Sequence, residues 1–357
     1  MTIFPDIKKP SLLVHRGRCR KNIASMAEFS RHNKVRFRPH FKTHQSTEVG
    51  NLFRESGIDQ ITVSSVSMAR FFSDAGESDI TIAFPVNVRE LDDIVELSRK
   101  IRLGLLLESV ESADLIGRSG LSADIWLKID TGNRRTGIDC RDELSAGAIL
   151  TSAGQFPGLR IRGLLTHAGH TYRAGSAKNI LDVHKQSVCK MIRLRDRLTS
   201  SHGRLEISIG DTPALSLRPD LSEIDEIRPG NFVYYDATQL AMGVCAEDDI
   251  AAVAACPVVA HHKDRNELVI YGGAVHLSKD RIVAQGHDCY GLVVILNESG
   301  WSDLLPGASV TALSQEHGIV RGGGEIFDLF PIGSLIGVIP VHSCLTADLL
   351  RRETVMI

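Results

Sequence analysis

One lysine near the start of the sequence stands among several basic or imidazole side chains. Lys42 follows Arg36, Arg38 and His40 and precedes His44. Neighbouring positive charges favour the neutral form of a lysine amine. That neutral amine is the nucleophile of Schiff-base chemistry. Taken alone, the segment fits this chemistry and a solvated basic strand end equally well.

A histidine and a cysteine lie two residues apart near the other end of the sequence. If His342 and Cys344 are on a β-strand, both side chains point to one face and can contact one metal ion. An imidazole with a thiolate favours zinc over magnesium or calcium. Two protein ligands leave the remaining tetrahedral positions to water or substrate, as in catalytic zinc sites. The other interpretation is a buried cysteine beside an unrelated histidine.

The first two-thirds of the chain must position the lysine, and there short β-rich runs alternate with amphipathic helical stretches such as 88–98 and 181–198. This alternation predicts βαβ units and a parallel sheet. About eight strands favour an α/β fold with a closed (β/α)8 TIM-type barrel, and an open doubly wound sheet is the alternative. Lys42 then follows the first strand, at the barrel rim that carries active sites. The predicted strands are 34–38, 60–64, 79–83, 101–106, 124–128, 161–166, 204–208 and 223–227.

Beyond about residue 241 the pattern changes to short apolar runs separated by Gly, Pro, Asp and Asn. No convincing helical stretch lies between these runs, so we predict an all-β C-terminal domain that pairs with residues 11–15. The predicted domains are therefore a barrel at 17–240 and a β domain made of 1–16 and 241–357. The predicted strands of the β domain are 251–260, 267–270, 281–284, 292–296, 309–313, 318–320 and 335–340.

Composition excludes several classes of function. The 357 residues carry 41 Lys and Arg against 43 Asp and Glu, a formal charge of −2, which argues against a general nucleic-acid or polybasic membrane binder. No apolar run approaches the roughly 18 residues that cross a bilayer, and residues 1–10 lack a secretory apolar segment. The seven cysteines are scattered and never spaced C-x-x-C. We therefore expect a cytoplasmic protein in a reducing compartment.

Several ordered motifs together resemble one known family. They are R-P-H-F-K-T-H at 38–44, K-I-D-T-G at 128–132 with Arg135, G-L-L-T-H at 163–167, S-I-G-D-T-P at 208–213, R-P-G-N at 228–231 with Asp236, and P-V-H-S-C-L-T at 340–346. This series resembles the D-threonine aldolase and D-serine dehydratase family. These are pyridoxal 5′-phosphate (PLP) enzymes of fold type III, with an alanine racemase-like barrel. The resemblance extends along nearly the whole chain.

The resemblance implies which residues hold the cofactor ring. Lys42 would carry PLP as a Schiff base, and Arg135 would bond the phenolic oxygen. Arg228 would face the ring nitrogen and keep it unprotonated; the alternative for Arg228 is a surface salt bridge with Glu226 or Asp225.

The phosphate is expected at a turn between a strand and a short helix. The amides of Gly210, Asp211 and Thr212 and the Thr212 hydroxyl suit a phosphate there. By resemblance, the amides of Gly230 and Asn231 reach the same group.

Other residues are assigned by the resemblance. His167 is expected against the cofactor ring, Tyr172 near the imine and Asp236 in the cofactor site. His317 would approach the substrate, and its alternative is a histidine in a β-turn.

The match around 340–346 favours metal binding by His342 and Cys344, with zinc first and manganese second. Asp348 would accept a hydrogen bond from His342 or stand as a solvated carboxylate.

The implied reaction is a β-elimination on D-serine, D-threonine or D-3-hydroxyaspartate that gives a 2-oxo acid and ammonia. The metal would act as a Lewis acid on the hydroxyl leaving group. The first alternative is D-threonine aldolase cleavage to glycine and an aldehyde. By the same resemblance, a racemase would need a second base besides Lys42, a tyrosine of the β domain, and neither Tyr271 nor Tyr290 lies in the matching segment. A non-catalytic PLP-binding protein is the remaining alternative. Relatives lead us to expect a homodimer.

Overall fold

The strands and helices alternate through the chain much as predicted. The computed structural model describes residues 3–284 and 286–357, so residues 1 and 2 of the predicted β domain and residue 285 lie outside the description. The strands are β1 (Ser11–Val14), β2 (Arg36–Phe37), β3 (Ile61–Val63), β4 (Asp79–Pro85), β5 (Arg102–Leu107), β6 (Ala123–Asp130), β7 (Ile138–Asp139), β8 (Leu159–Thr166), β9 (Glu206–Ile209), β10 (Glu226–Ile227), β11 (Ala252–His262), β12 (Glu267–Tyr271), β13 (Ile282–Ala284), β14 (His287–Cys289), β15 (Gly291–Asn297), β16 (Gly300–Leu313), β17 (His317–Arg321), β18 (Leu335–Pro340) and β19 (Thr354–Met356). The α-helices are α1 (Arg16–His32), α2 (Thr47–Glu55), α3 (Val66–Asp74), α4 (Leu91–Ser98), α5 (Val110–Arg118), α6 (Glu143–Gly154), α7 (Ala177–His202), α8 (Thr212–Ser216), α9 (Ala237–Ala241), α10 (Ala274–Leu277), α11 (Ile326–Leu329) and α12 (Ser343–Leu349).

Tertiary contacts divide the chain into two compact units. We call the first the barrel unit; it consists of Ala24–Lys42 and Gly50–Gly230. The second, the β unit, contains the chain up to Ile23 together with Thr43–Val49 and Asn231–Ile357. The division at 240/241 that the sequence suggests stays a prediction.

In the barrel unit, eight parallel strands follow one another in the order β2-β10-β9-β8-β6-β5-β4-β3, and the short strand β7 pairs with β6 outside this order. The two ends of this order meet, because a parallel bridge joins His40 to Thr62 and the amide of Phe41 donates to the Thr62 carbonyl at 2.8 Å. The predicted (β/α)8 barrel is confirmed and the open-sheet alternative is wrong.

Burial explains why the longer of these strands, such as β4 and β5, are largely apolar. A parallel strand in a barrel is covered by helices outside and by other strands inside, so both of its faces need apolar side chains. Leu106, Trp126 and Leu165, from three neighbouring strands, form a buried cluster against Ala83. Serine N-caps begin the outer helices α3, α5 and α7, where each hydroxyl accepts a backbone amide that the helix itself leaves unpaired.

The β unit contains a sheet in the order β12-β17-β16-β15-β18-β11-β1-β19. Neighbouring strands in this order are antiparallel except β1 and β19, which are parallel. Since β12 also pairs with β11, six of these strands close on themselves. Strand β1 pairs with β11 through Ser11 opposite Ala255, which confirms the pairing predicted for residues 11–15. The C-terminal domain is built mainly of β-strands, as predicted, but the short helices α10, α11 and α12, which the sequence did not indicate, lie between its strands. These helices have four to seven residues, too few for a helical period to show in the sequence.

Among the described residues, no helix combines the length and the apolar character that a membrane crossing requires.

Candidate active site

Lys42 lies at the carboxyl end of the first barrel strand. Regular strand β2 is short, but the backbone beyond it stays bonded to both neighbours. The amide of His40 donates to the Pro229 carbonyl at 2.9 Å, and the amide of Phe41 donates to the Thr62 carbonyl at 2.8 Å. Lys42 follows at once and is half-buried. The barrel therefore presents its amine at the rim, as predicted.

Two imidazoles beside Lys42 are held neutral. Loss of hydration, followed by the charges of Lys42 and Arg228, lowers the pKa of His40 well below its usual 6.5. Loss of hydration, then Lys42 and Arg135, lowers the pKa of His167 in the same way. The positive charges of Lys42 and Arg135 therefore lower the pKa of both histidines, and Arg228 adds to the effect on His40.

Arg36 and Arg38, the arginines near Lys42 in sequence, are both neutralized by ion pairs with carboxylates. Arg38 is buried and bonds Glu226 at 3.0 Å and Asp79 at 2.5 Å. Arg36 pairs with Glu206. The positive surroundings of Lys42 exist, but they come largely from residues distant in sequence.

Lys128 is a functional candidate to which sequence reasoning gave no role. It is buried on β6, and its ammonium donates to the carbonyl of Ile129 at 3.2 Å. Burial and then the charge of Arg228 lower its pKa to about 8, although the charge of Glu108 acts against the shift. The signal was available, because Lys128 opens the K-x-D-T-G motif.

Arg228 points into the barrel. It is buried, its Nε donates to the Ser208 hydroxyl at 2.7 Å, and its Nη2 donates to the Thr166 carbonyl at 2.7 Å. Burial lowers its pKa to about 10. The alternative of a surface salt bridge is wrong, since Asp225 pairs with Arg204 and Glu226 is itself fully buried.

The predicted phosphate turn is tightly packed. A Cβ on Gly210 would lie 3.0 Å from the carbonyl oxygen of Arg228, so glycine suits this approach. The Asp211 carboxylate caps α8 by accepting the amide of Ala214 at 2.9 Å, and it accepts the Thr171 hydroxyl at 3.2 Å. Burial raises the pKa of Asp211 to about 6. The Asp211 side chain is therefore engaged in the cap, and a phosphate role for the turn amides stays a prediction.

The remaining predicted ring contacts lie nearby. One ring nitrogen of His167, Nδ1, contacts the carbonyl oxygen of Gly210, and the ring centre of His167 is 6.5 Å from that of Tyr172. Thr212 is buried at the start of α8, whereas Arg135 is exposed in the loop after β6.

This arrangement fits an anionic, aldehyde-bearing cofactor such as PLP. Four basic groups lie close enough to His40 and His167 for their positive charges to lower the pKa of these histidines. They are Lys42, Lys128, Arg135 and Arg228. An anion bound among them would balance their charge.

In the β unit, His342 and Cys344 do not lie on a strand, contrary to the prediction. Strand β18 ends at Pro340, His342 is the N-cap residue of α12, and Cys344 lies in the first turn of that helix. The two side chains still meet, because the imidazole of His342 hydrogen-bonds the thiol of Cys344. The start of a helix brings them together instead of the pleat of a strand.

The carboxylate beside His342 is Asp280 and not Asp348. The Nδ1 atom of His342 lies 2.8 Å from Asp280 Oδ2. Asp348 instead accepts the side-chain amide of Gln45 at 2.8 Å, so its predicted role toward His342 is wrong. Burial opposes protonation, but Cys344 and nearby carboxylates raise the pKa of His342 to about 9.

Two residues assigned to the cofactor by sequence have side chains that hold the turn before α12. The Asn231 amide donates to Asp236 at 2.6 Å and to the Ser343 hydroxyl at 2.9 Å. Asp236 also accepts the backbone amide of Ser343 at 3.0 Å. Burial raises the pKa of Asp236. Gly230, the last residue of the barrel unit, is half-buried.

The donors present fit a soft divalent metal. His342 and Cys344 supply nitrogen and sulfur, and the hydroxyl of buried Thr43 lies 3.2 Å from the Cys344 sulfur. Within the described part of the chain, no cluster of three or more His, Cys, Asp or Glu side chains is arranged around one ion. The protein thus offers two ligands, which leaves coordination positions to water or substrate.

His317 begins β17 and is exposed. Its carbonyl accepts the amide of Ser314 at 2.9 Å, so His317 lies at the end of the turn between β16 and β17, which is compatible with the β-turn interpretation. A role for His317 toward substrate stays a prediction.

Comparison with known proteins shows that two family profiles match this chain. The sequence profile of the family described as "Alanine racemase, N-terminal domain" matches residues 14–238, and that of the "Putative serine dehydratase domain" matches residues 251–356. The chain belongs to the D-serine dehydratase and D-threonine aldolase family. This confirms the resemblance on which the sequence assignment depends.

Curated members of this family align along nearly the whole chain. D-threo-3-hydroxyaspartate dehydratase of Delftia sp. (strain HT23) is 30% identical over 351 residues, 94% of this chain and 91% of that protein. D-serine dehydratase of Dictyostelium discoideum is 28% identical over 369 residues, 96% of this chain and 91% of that protein. D-threonine aldolase of Arthrobacter sp. is 23% identical over 357 residues, 94% of this chain and 86% of that protein.

The fold of the Delftia enzyme superposes with a TM-score of 0.89 at 28% identity, over 98% of this chain and 94% of the other. A cysteine-to-alanine mutant of a D-threo-3-hydroxyaspartate dehydratase in the metal-free form superposes with the same TM-score, identity and coverage.

Proposed function

We propose that this protein is a PLP- and metal-dependent dehydratase of D-3-hydroxy amino acids. The proposed substrates are D-serine, D-threonine and D-3-hydroxyaspartate, and the products are a 2-oxo acid and ammonia. The relatives named as dehydratases support the β-elimination over the aldol cleavage. The observation that carries the proposal is the donor pair of His342 and Cys344, whose nitrogen and sulfur suit a soft metal. The hydroxyl of Thr43, the residue after Lys42, contacts the sulfur of Cys344.

The barrel unit supplies the groups that would act at the α-carbon. PLP, when bound, withdraws electrons from the α-carbon of an amino acid. Lys42 Nζ is the proposed base that removes the α-proton, because it stands at the rim beside two neutral imidazoles. His167 and Arg228 are fixed by backbone oxygens, which suits residues that orient a ring. Arg228 stays a cation, since its pKa of about 10 lies above neutral pH.

The β unit supplies the groups that would act at the hydroxyl. A divalent metal, when bound, polarizes an oxygen and makes hydroxide a better leaving group. His342 and Cys344 would hold the ion, with zinc first and manganese second. The substrate loses its α-proton and hydroxide as water, and the enamine product takes up water and releases ammonia.

The test compares products with purified protein that has been supplied with PLP and zinc chloride. With D-serine we expect pyruvate and ammonia in equal amounts, and with D-threonine 2-oxobutyrate and ammonia. Glycine and acetaldehyde from D-threonine would overturn the dehydratase in favour of the aldolase. Exchange of the α-proton without net loss of substrate would indicate a racemase, and no exchange with any D-amino acid would indicate a non-catalytic binding protein.

A homodimer and a cytoplasmic location belong to the same proposal. Light scattering on the eluted chromatographic peak measures the first, and a mass of one chain would contradict it.

A further inference from the structure

The ring of His342 is fixed by a carboxylate far away in sequence. Its Nδ1 atom lies 2.8 Å from Oδ2 of Asp280, 62 residues earlier in the chain. A histidine that uses one ring nitrogen for a carboxylate has its tautomer and ring orientation set, and only the other nitrogen remains for a metal. For His342 that remaining atom is Nε2.

The local backbone holds Asp280 in place. Helix α10 ends at Leu277, whose carbonyl accepts the hydroxyl of Thr346 from α12 at 3.3 Å. Ser278 follows with a φ of 66°, a left-handed conformation unusual for a residue with a side chain. The Ser278 hydroxyl then accepts the amide of Asp280 at 3.2 Å. The two short helices are therefore tied together so that Asp280 meets His342.

Folding stability alone is a weak explanation for this contact. The side chains of His342 and Asp280 are 39% and 47% exposed. Ion pairs this exposed contribute little to stability, because water screens them and ordering both side chains costs entropy. What the contact does supply is a defined direction for the imidazole that adjoins Cys344.

We propose that Asp280 is a positioning residue for His342 as a metal ligand. This inference rests on the metal in the proposed function and adds a residue that acts on the metal only through another side chain. Second partners of this kind orient the imidazole and raise its basicity toward the ion.

The experiment measures zinc affinity directly, without turnover. Wild type and the variants Asp280→Ala, Asp280→Asn and Asp280→Glu are titrated with zinc chloride against a chromophoric chelator at constant pH. We expect about 10- to 100-fold weaker zinc binding for Asp280→Ala, as for other lost partners of metal-bound histidines. Asp280→Glu should recover part of the loss, because it restores a carboxylate.

Asp348→Asn is the matched control, since it removes a nearby carboxylate that bonds Gln45 and not His342. It should bind zinc as wild type does. A merely structural Asp280 would lower the melting temperature of Asp280→Ala and leave its zinc affinity unchanged, which would overturn the inference. Equal losses in Asp280→Ala and Asp348→Asn would overturn it too. If wild type takes up no zinc, the metal of the proposed function fails and this inference with it.

Discussion

The hydroxyl of Thr43 lies 3.2 Å from the sulfur of Cys344, and both atoms are buried. Thr43 directly follows Lys42, so the residue next to the proposed Schiff-base lysine is tied to a proposed metal ligand. A hydroxyl donates a stronger hydrogen bond to a charged acceptor, such as a thiolate, than to a neutral thiol. The contact would therefore stabilize the anionic sulfur that a metal requires.

Replacing Thr43 tests this contact. Thr43→Val keeps the shape and removes the hydroxyl. A hydrogen bond to a charged group contributes about 1.5–3 kcal/mol, so we expect zinc affinity to fall by roughly tenfold or more. Thr43→Ser retains the hydroxyl and should bind zinc nearly as wild type does. Equal zinc affinities of the valine and serine variants in a chelator titration would show that the hydroxyl has no role.

Lys42 should be required for the covalent attachment of PLP. A PLP imine with a lysine absorbs near the edge of the visible range, and Lys42→Ala removes the amine that would form it. We expect this band to vanish and the rate of product formation to fall on the order of 10²–10⁴-fold, the usual effect of losing a positioned base. Absorbance spectra of the protein supplied with PLP measure the first effect.

Lys100→Ala is the control for Lys42, because Lys100 is exposed and pairs with Glu96 on the helix surface. The control should keep the band and the rate. If Lys42→Ala retained the band after gel filtration, another amine would carry the cofactor, and Lys128, whose pKa is about 8, would be the first to test.

Glu226 should be a main contributor to barrel stability. It is fully buried, accepts Arg38 Nε at 3.0 Å and accepts the Ser208 hydroxyl at 2.7 Å. Glu226→Gln would leave buried Arg38 with less compensation, so we expect the free energy of unfolding to drop by about 3–5 kcal/mol. Urea unfolding at pH 7 measures the drop, and exposed Glu111→Gln is the control.

The same residue predicts a pH dependence. Burial would raise the pKa of Glu226, but Arg38, the Ser208 hydroxyl and other arginines together hold it below the ordinary 4.5. A depressed pKa in the folded state gives a stabilization that is present above pH 4.5 and is lost as the pH falls through the lower value. The Gln variant should lack this part of the acid-induced loss. A parallel decline of wild type and variant below pH 4.5 would contradict this assignment.

Sequence patterns predicted most of the fold because the fold depends on local periodicity. The longer barrel strands, such as β4 and β5, are largely apolar runs, and α7 buries residues at three- and four-residue steps. The short helices of the β unit are not predicted, because one or two helical turns are too short to show a hydrophobic periodicity in the sequence. The sequence therefore predicts a strand through His342, whereas β18 ends at Pro340 and His342 precedes helix α12.

The candidate site was predicted where chemistry and motif coincide, and missed where a contact spans the chain. Lys42, Arg228 and Cys344 are residues of distinctive chemistry within recognizable motifs. Asp280 meets His342 across 62 residues, and no local pattern distinguishes its carboxylate from that of Asp348. Only the closure of the β unit's sheet and the turn at Ser278 bring it there.

Asp211 should limit stability at high pH. Burial raises its pKa from 3.8 to about 6, so the folded state favours the protonated acid. That contribution is complete below pH 3.8 and is lost as the pH rises through about 6. Asp211→Asn stays neutral and can still cap α8, so at pH 8 we expect it to unfold with a free energy up to about 3 kcal/mol larger than wild type.

Asp142→Asn is the opposing control, because Asp142 caps α6 from an exposed position and the amide of Ser145 lowers its pKa. Urea unfolding of PLP-free protein at pH 5 and pH 8 compares the two caps. The Asp211 variant should show a flatter pH profile than wild type, while the Asp142 variant should gain nothing at pH 8. Equal profiles for wild type and Asp211→Asn would mean that Asp211 is ionized in the fold at both pH values, which would favour a hydrated turn there over a desolvated cap.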